Sequence, residues 1–198
     1  MTIRSAFLVL AVVAIASSAV PVAGQRDDSP VIVVFHDVLD KVDRTHPDLN
    51  VVNHVNFTST ANAPACAHGT RVAGVAAARD DTFGVVGAAP GAAITAVKVT
   101  TCDPVFFFAS SVIKGVDWVT ANAVRPAVVN MSLGGGTVTS SGTSYAAPHV
   151  AGTAGLYLST HPSATPAEVE AALESSALAP GTLSKNLTPV RIVYAGGY

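Results

Sequence analysis

The sequence is poor in charge, in cysteine and in long apolar runs. Of its 198 residues 11 are basic and 13 acidic, charged types make up 12% of the chain, and the formal net charge is −2. No block of like charge is present to attract a polyanion, so neither nucleic acid nor anionic lipid is an expected partner. Cysteine occurs only at Cys66 and Cys102, too few for a disulfide-dense scaffold. There is no internal repeat and no low-complexity linker, and past the N-terminal stretch no segment has the roughly 20 apolar residues that a membrane helix needs. No cluster of Asp, Asn and carbonyl-rich turns marks a calcium site, and Asp80-Asp81 reads as a solvated turn. No metal and no cofactor is expected.

What is there suits one compact domain: 49% of the residues are hydrophobic, ample for a core. The opening "MTIRSAFLVLAVVAIASSAVPVAGQ" places Arg4 before an apolar run, followed by small residues at Ser17, Ala19, Ala23 and Gly24. That is the pattern of a secretory signal peptide over residues 1–24, and it makes the mature chain secreted and extracellular. Two cysteines in an oxidising compartment pair by default.

Apolar runs and helical periods alternate along the rest. "VIVVF" (31–35) and "AAITAVKVT" (92–100) read as buried strands, and "AVVNMSL" (127–133) as a third that ends at three glycines. The stretch from Ala109 carries Val112, Val116 and Val119 at helical spacing with Ile113 beside them, and stops before Pro126. In "TPAEVEAALESS", Thr165 is the N-cap, Pro166 the first helical residue and Glu168 the third, which together form a capping box. Such alternation implies an α/β three-layer sandwich with a mainly parallel sheet.

Two motifs carry chemistry. In "GTSYAAPHVAG", Gly142 permits a sharp turn into Ser144, and the following residues begin a helix that tolerates Pro148 in its first turns. Such a serine is either a helix cap or a nucleophile at the positive end of the helix dipole. In "HGTRVAGVAAA", His68 opens a second helix of small residues. An imidazole there is the general base a serine hydroxyl needs before it becomes nucleophilic.

"HGTRVAG", "NMSLGGG" and "GTSYAAPHVAG", in that order, resemble the subtilisin-like serine peptidases, especially their proteinase K and aqualysin branch. The resemblance runs from about Val38 to the end of the chain. It implies a monomeric, secreted serine endopeptidase acting on proteins or peptides, with Ser144 as nucleophile and His68 as general base. Ser132, Leu133 and Gly134 would pair with substrate backbone, and an aspartate before the histidine would complete the set. The family order is Asp, His, Ser; Asp40 is the first choice because residues 42–49 behind it still fit the family pattern, and Asp43 the second because its family counterpart is a variable position. Cys66 and Cys102 stand at positions similar to a disulfide pair of the aqualysin branch.

The chain also departs from the family. Lys41 stands where two residues are expected, and "SPVIVVFHDVLDKVD" resembles in addition the opening strand of an inhibitor-type propeptide. Residues 25–37 are therefore read as a remnant of that propeptide and 38–198 as a shortened, truncated peptidase domain. Only residues 137–141 separate the "SLGGG" and "GTSYAAPH" motifs, where the family inserts several strands and its oxyanion-hole asparagine. Reduced hydrolysis follows from that loss. The rival reading is a noncatalytic homologue that acts as a secreted binding module or does not fold stably.

The cysteine arithmetic yields a direct test. Intact-mass measurement should find no thiol to alkylate in the unreduced secreted protein and two after reduction, whereas two alkylated thiols without reduction would exclude a Cys66–Cys102 bridge.

Overall fold

The computed structural model describes residues 31–36, 42–59, 67–102, 105–132, 143–183, 187 and 189–198, with backbone alone for 31–36, 101, 102, 105–107 and 143. The strands are β1 (Val31–His36), β2 (Val51–Asn56), β3 (Ala93–Lys98), β4 (Thr100–Cys102), β5 (Val105–Phe107) and β6 (Ala127–Met131). The helices are α1 (His68–Ala77), α2 (Ala109–Asn122), α3 (Thr143–Thr160) and α4 (Pro166–Ser176).

Four strands form one sheet in the order β2-β3-β1-β6, and every pairing within it is parallel. β3 is buried along nearly its whole length, as its unbroken apolar run requires in a sheet covered on both faces. β1 lies between β3 and β6, with Val31 opposite both Ala93 and Ala127. Those six residues thus sit inside the sheet, although they belong to the stretch read from sequence as a propeptide remnant.

Side chains alternate across the sheet and sort the helices into two layers. Ile94 and Ala96 of β3 pack on Val72, Ala73, Ala76 and Ala77 of α1. Val128 of β6 faces Ala151, Ala154 and Leu158 of α3, with Val169 of α4 beside them. On the opposite face Val97, Val99 and Val129 meet Val119 of α2, flanked by Val112 and Trp118. The result is the three-layer α/β sandwich expected from sequence.

Two local expectations are revised. The strand read over 92–100 breaks at Val99, and the chain continues as β4, which forms an antiparallel hairpin with β5. α2 buries only part of the stripe that its valines mark: Val119 is buried and Val112 partly so, but Ile113 is 59% and Val116 41% exposed. Its buried residues are Ser111, Gly115 and Val119, one helical turn apart. The Ser111 hydroxyl donates to the carbonyl of Phe57, just past the end of β2, at 3.0 Å.

The capping box of α4 is formed as read. Glu168 Oε2 accepts from the Thr165 backbone N–H at 2.7 Å, and Thr165 Oγ1 accepts from the Glu168 N–H at 3.3 Å. The backbone bond from Thr165, aided by its hydroxyl, holds the Glu168 carboxyl below the usual carboxylate range. A depressed folded-state pKa contributes stability that is present above the ordinary carboxylate range and is lost as pH falls through the lowered value. Glu168→Gln should remove that part of the acid-side decline of stability, read by denaturant unfolding at stepped pH. An unchanged pH profile would show that the box carries no pH-dependent share.

α1 and α3 lie side by side on one face of the sheet. They touch at a glycine: a Cβ at Gly152 would stand 2.7 Å from the Ala76 carbonyl oxygen of α1 and 2.6 Å from Ala88 Cβ, beyond the end of that helix. Both neighbours are short and stiff, so Gly152→Ala should cost about 1–3 kcal/mol through overpacking. The urea midpoint should fall at unchanged slope, and an unaltered midpoint would refute the close fit.

Candidate active site

The carboxyl ends of parallel strands and the amino ends of the helices that follow them share one edge of an α/β sheet, which is where such folds build ligand sites. Here the Gly91 N–H donates to the Ala77 carbonyl, so the end of α1 meets the start of β3. α1 therefore begins at the carboxyl edge of the sheet, and its first residue is His68. Small residues fill the helix behind it, and the imidazole itself is buried, 5% exposed.

α3 begins beside it. Ser144 is its second residue and is half-buried, so the serine lies within the first turn rather than capping it. The next side chain, Tyr145, sets its ring 5.8 Å from the His68 ring at an interplanar angle of 59°. The unsatisfied N–H groups of that first turn carry the positive end of the helix dipole, the electrostatic setting for a developing oxyanion.

The third contributor is the end of β6. Asn130 shares the face of Val128, toward α3, by the alternation of the strand. Its Nδ2 donates to the Ser132 hydroxyl at 3.0 Å, and that hydroxyl donates to the Ser144 carbonyl at 3.0 Å. Asn130 and Ser132 are 1% and 6% exposed. The structure thus joins Ser132 to Ser144 directly and brings His68 against the residue next to Ser144.

Asp40, Cys66, Leu133 and Gly134 lie outside the described residues, and Cys102 is described by its backbone in β4. Asp40 belongs to the connection between His36, at the carboxyl end of β1, and Val42, which is buried in the cluster around α1. Asp43 serves its own turn. Its Oδ1 accepts from the N–H and hydroxyl of Thr45 at 2.9 and 2.7 Å, and its N–H donates to Thr70 Oγ1 at 2.9 Å.

Sequence reasoning gave no role to two polar residues at this edge. Lys98, the last residue of β3, is buried on the Ile94 and Ala96 face, opposite both His36 and Asn56. Asn130 is the polar residue in "AVVNM". The available signal was one polar residue in each of two otherwise apolar central strands, where burial demands a partner.

A family model described as the subtilase family matches residues 33–141 and 135–191. This chain belongs to the subtilase family. Among curated relatives, subtilisin DY of Bacillus licheniformis is 41% identical over 93 residues, which is 46% of this chain and 33% of that protein. Subtilisin E of Bacillus subtilis (strain 168) is 40% identical over 99 residues, 48% of this chain and 25% of that protein. These aligned stretches thus span about a third or less of the relatives' length. A crystal structure of a cold adapted subtilisin-like serine proteinase superposes with a TM-score of 0.70 at 23% identity, covering 84% of this chain and 88% of that one. The comparisons place this subtilase in the family without singling out its proteinase K branch.

Proposed function

We propose that this subtilase is a secreted serine endopeptidase working through a Ser144 acyl-enzyme, with turnover reduced by its missing segments. The observation that carries the reading is the meeting of α1 and α3 at one sheet edge, His68 packed against Tyr145 and Ser144 in the same helical turn. A nucleophile and a base on the opening turns of two apposed helices are held by packing rather than by flexible loops.

In this mechanism His68 accepts the Ser144 hydroxyl proton as Oγ attacks the peptide carbonyl carbon. The carbonyl π electrons move to oxygen, and the resulting oxyanion lies at the positive end of α3. Collapse of the tetrahedral adduct breaks the C–N bond, with the proton passing from the imidazolium to the leaving amine. Water then hydrolyses the ester by the same proton route, releasing the acid and restoring Ser144. Asp40 orients His68 and stabilises its charged form, while the backbone of Ser132, Leu133 and Gly134 pairs with the substrate chain. Substrates are proteins or peptides.

Turnover is set by what the oxyanion loses. The chain has no asparagine in the place that serves this purpose in the family, and loss of that donor, as measured within this same family, costs about a hundred- to a thousand-fold in turnover. The backbone N–H groups of the first turn of α3 remain as donors, which leaves slow catalysis rather than none.

A fluorophosphonate probe tests the assignment because it reports the nucleophile without multiple turnover. Ser144→Ala should abolish labelling, His68→Ala should reduce it to near background, and Asp40→Asn should slow it, whereas Asp43→Asn should leave it unchanged. Equal labelling of wild type and Ser144→Ala would overturn the reading, and an unlabelled, well-folded wild type would favour the noncatalytic binding module.

A further inference from the structure

In an α-helix the carbonyl of residue i accepts from the N–H of residue i+4. For Ser144 that residue is Pro148, inside α3, and proline has no N–H to give. Its ring also crowds the carbonyl one turn back and turns it off the helical ladder. A part-buried backbone carbonyl that loses its helical partner needs a donor from elsewhere. In this chain it has one: the hydroxyl of Ser132, 3.0 Å away on the end of β6. The donor itself is a buried group, Ser132 being 6% exposed.

We infer that Ser132 is a positioning residue for Ser144, giving the nucleophile's carbonyl the hydrogen bond that Pro148 withholds. This rests on the reading of Ser144 as the nucleophile. Asn130 completes the device. By donating from Nδ2 to Ser132 Oγ at 3.0 Å, it occupies a lone pair of the hydroxyl and leaves the proton free to point at Ser144. The first turn of α3 is thereby tied to the sheet at the residue whose side chain reacts, and α3 cannot rotate or slide about its axis without breaking that bond. A residue with an N–H in place of the proline would satisfy the carbonyl within the helix and leave the turn free of the sheet. Ser132 keeps its backbone groups for substrate, since the device uses only its side chain.

A double-mutant cycle separates this from a merely structural role. The variants are Ser132→Ala, Pro148→Ala and the pair, with Ser132→Thr as the conservative control that keeps a hydroxyl. One readout is the rate of labelling by a fluorophosphonate. The other is the 13C′ shift of Ser144, which is addressable because Ser144-Tyr145 is the only Ser-Tyr pair in the chain, so labelling Ser with 13C′ and Tyr with 15N isolates it.

With Pro148 present, Ser132→Ala should move the Ser144 13C′ resonance upfield and slow labelling about tenfold or more. In the Pro148→Ala background, where the introduced alanine offers its own N–H, the same substitution should change labelling less than about twofold. Ser132→Thr, which keeps the hydroxyl, should leave the Ser144 13C′ resonance at its wild-type position. An unmoved carbonyl resonance, or the same loss in both backgrounds, overturns the inference. If Ser132→Ala does not fold, recovery of the fold in the double variant supports the inference and failure to recover overturns it. A wild type that folds but takes no label sinks the nucleophile reading alone, and the carbonyl shift still decides whether Ser132 holds the turn.

Discussion

The structure depends on how near α1 can come to α3. Both helices present alanine and glycine to one another and to the sheet, with Ala73, Ala76 and Ala77 on one and Ala151 and Ala154 on the other. Gly152 abuts the Ala76 carbonyl so closely that no side chain fits between them. Residues of this kind lose no rotamer freedom on burial and leave little room for sliding. The interface acts as a hard stop, and what it fixes is the distance between two helix starts. His68 stands at one and Ser144 at the other.

Topology supplies the second half of the arrangement. In a parallel sheet covered by helices, each crossover returns the chain to the same edge, so groups far apart in sequence gather there without any local pattern that announces it. The end of β6, the start of α1 and the start of α3 meet in this way, as do the buried Lys98 and the neighbouring end of β1. The Asn130–Ser132–Ser144 chain of hydrogen bonds then links two of these parts, and Asn130 and Ser132 are nearly closed to solvent. Low local dielectric strengthens such bonds and makes each expensive to leave unmade.

Much of this was legible in the residues themselves. β1, β6, the capping box of α4 and the helical starts at His68 and near Ser144 all follow from runs, caps and spacing that act over a few positions. The motif pair also marked His68 and Ser144, the residues proposed as base and nucleophile. The face of α2 was legible only in part: Val119 is buried as the period predicts, but Ile113 and Val116 fit the period and are exposed, while Ser111 and Gly115 are buried. Buried small residues are what a search for apolar residues passes over. The partnership of Ser132 with the carbonyl above Pro148 was hidden for a different reason. It joins two elements whose relative placement is tertiary, and neither motif alone shows that the proline leaves a bond to be filled. Asp40 stays a sequence argument, as its segment lies outside the described residues.

β1 is an early strand of the chain and an interior strand of the sheet, and its two neighbours begin at Ala93 and Ala127. One of its hydrogen-bonding edges therefore stays open until about half of the chain has been made, and the other until β6 follows. Local helices form in microseconds, but closing a sheet around a strand made this early means closing long loops, which slows the search and prolongs exposure of bare strand edges. The step that sets the pace of folding is then the return of late segments to β1. A nascent chain on the ribosome cannot complete its sheet, whatever the stability of the finished molecule, until β6 has emerged.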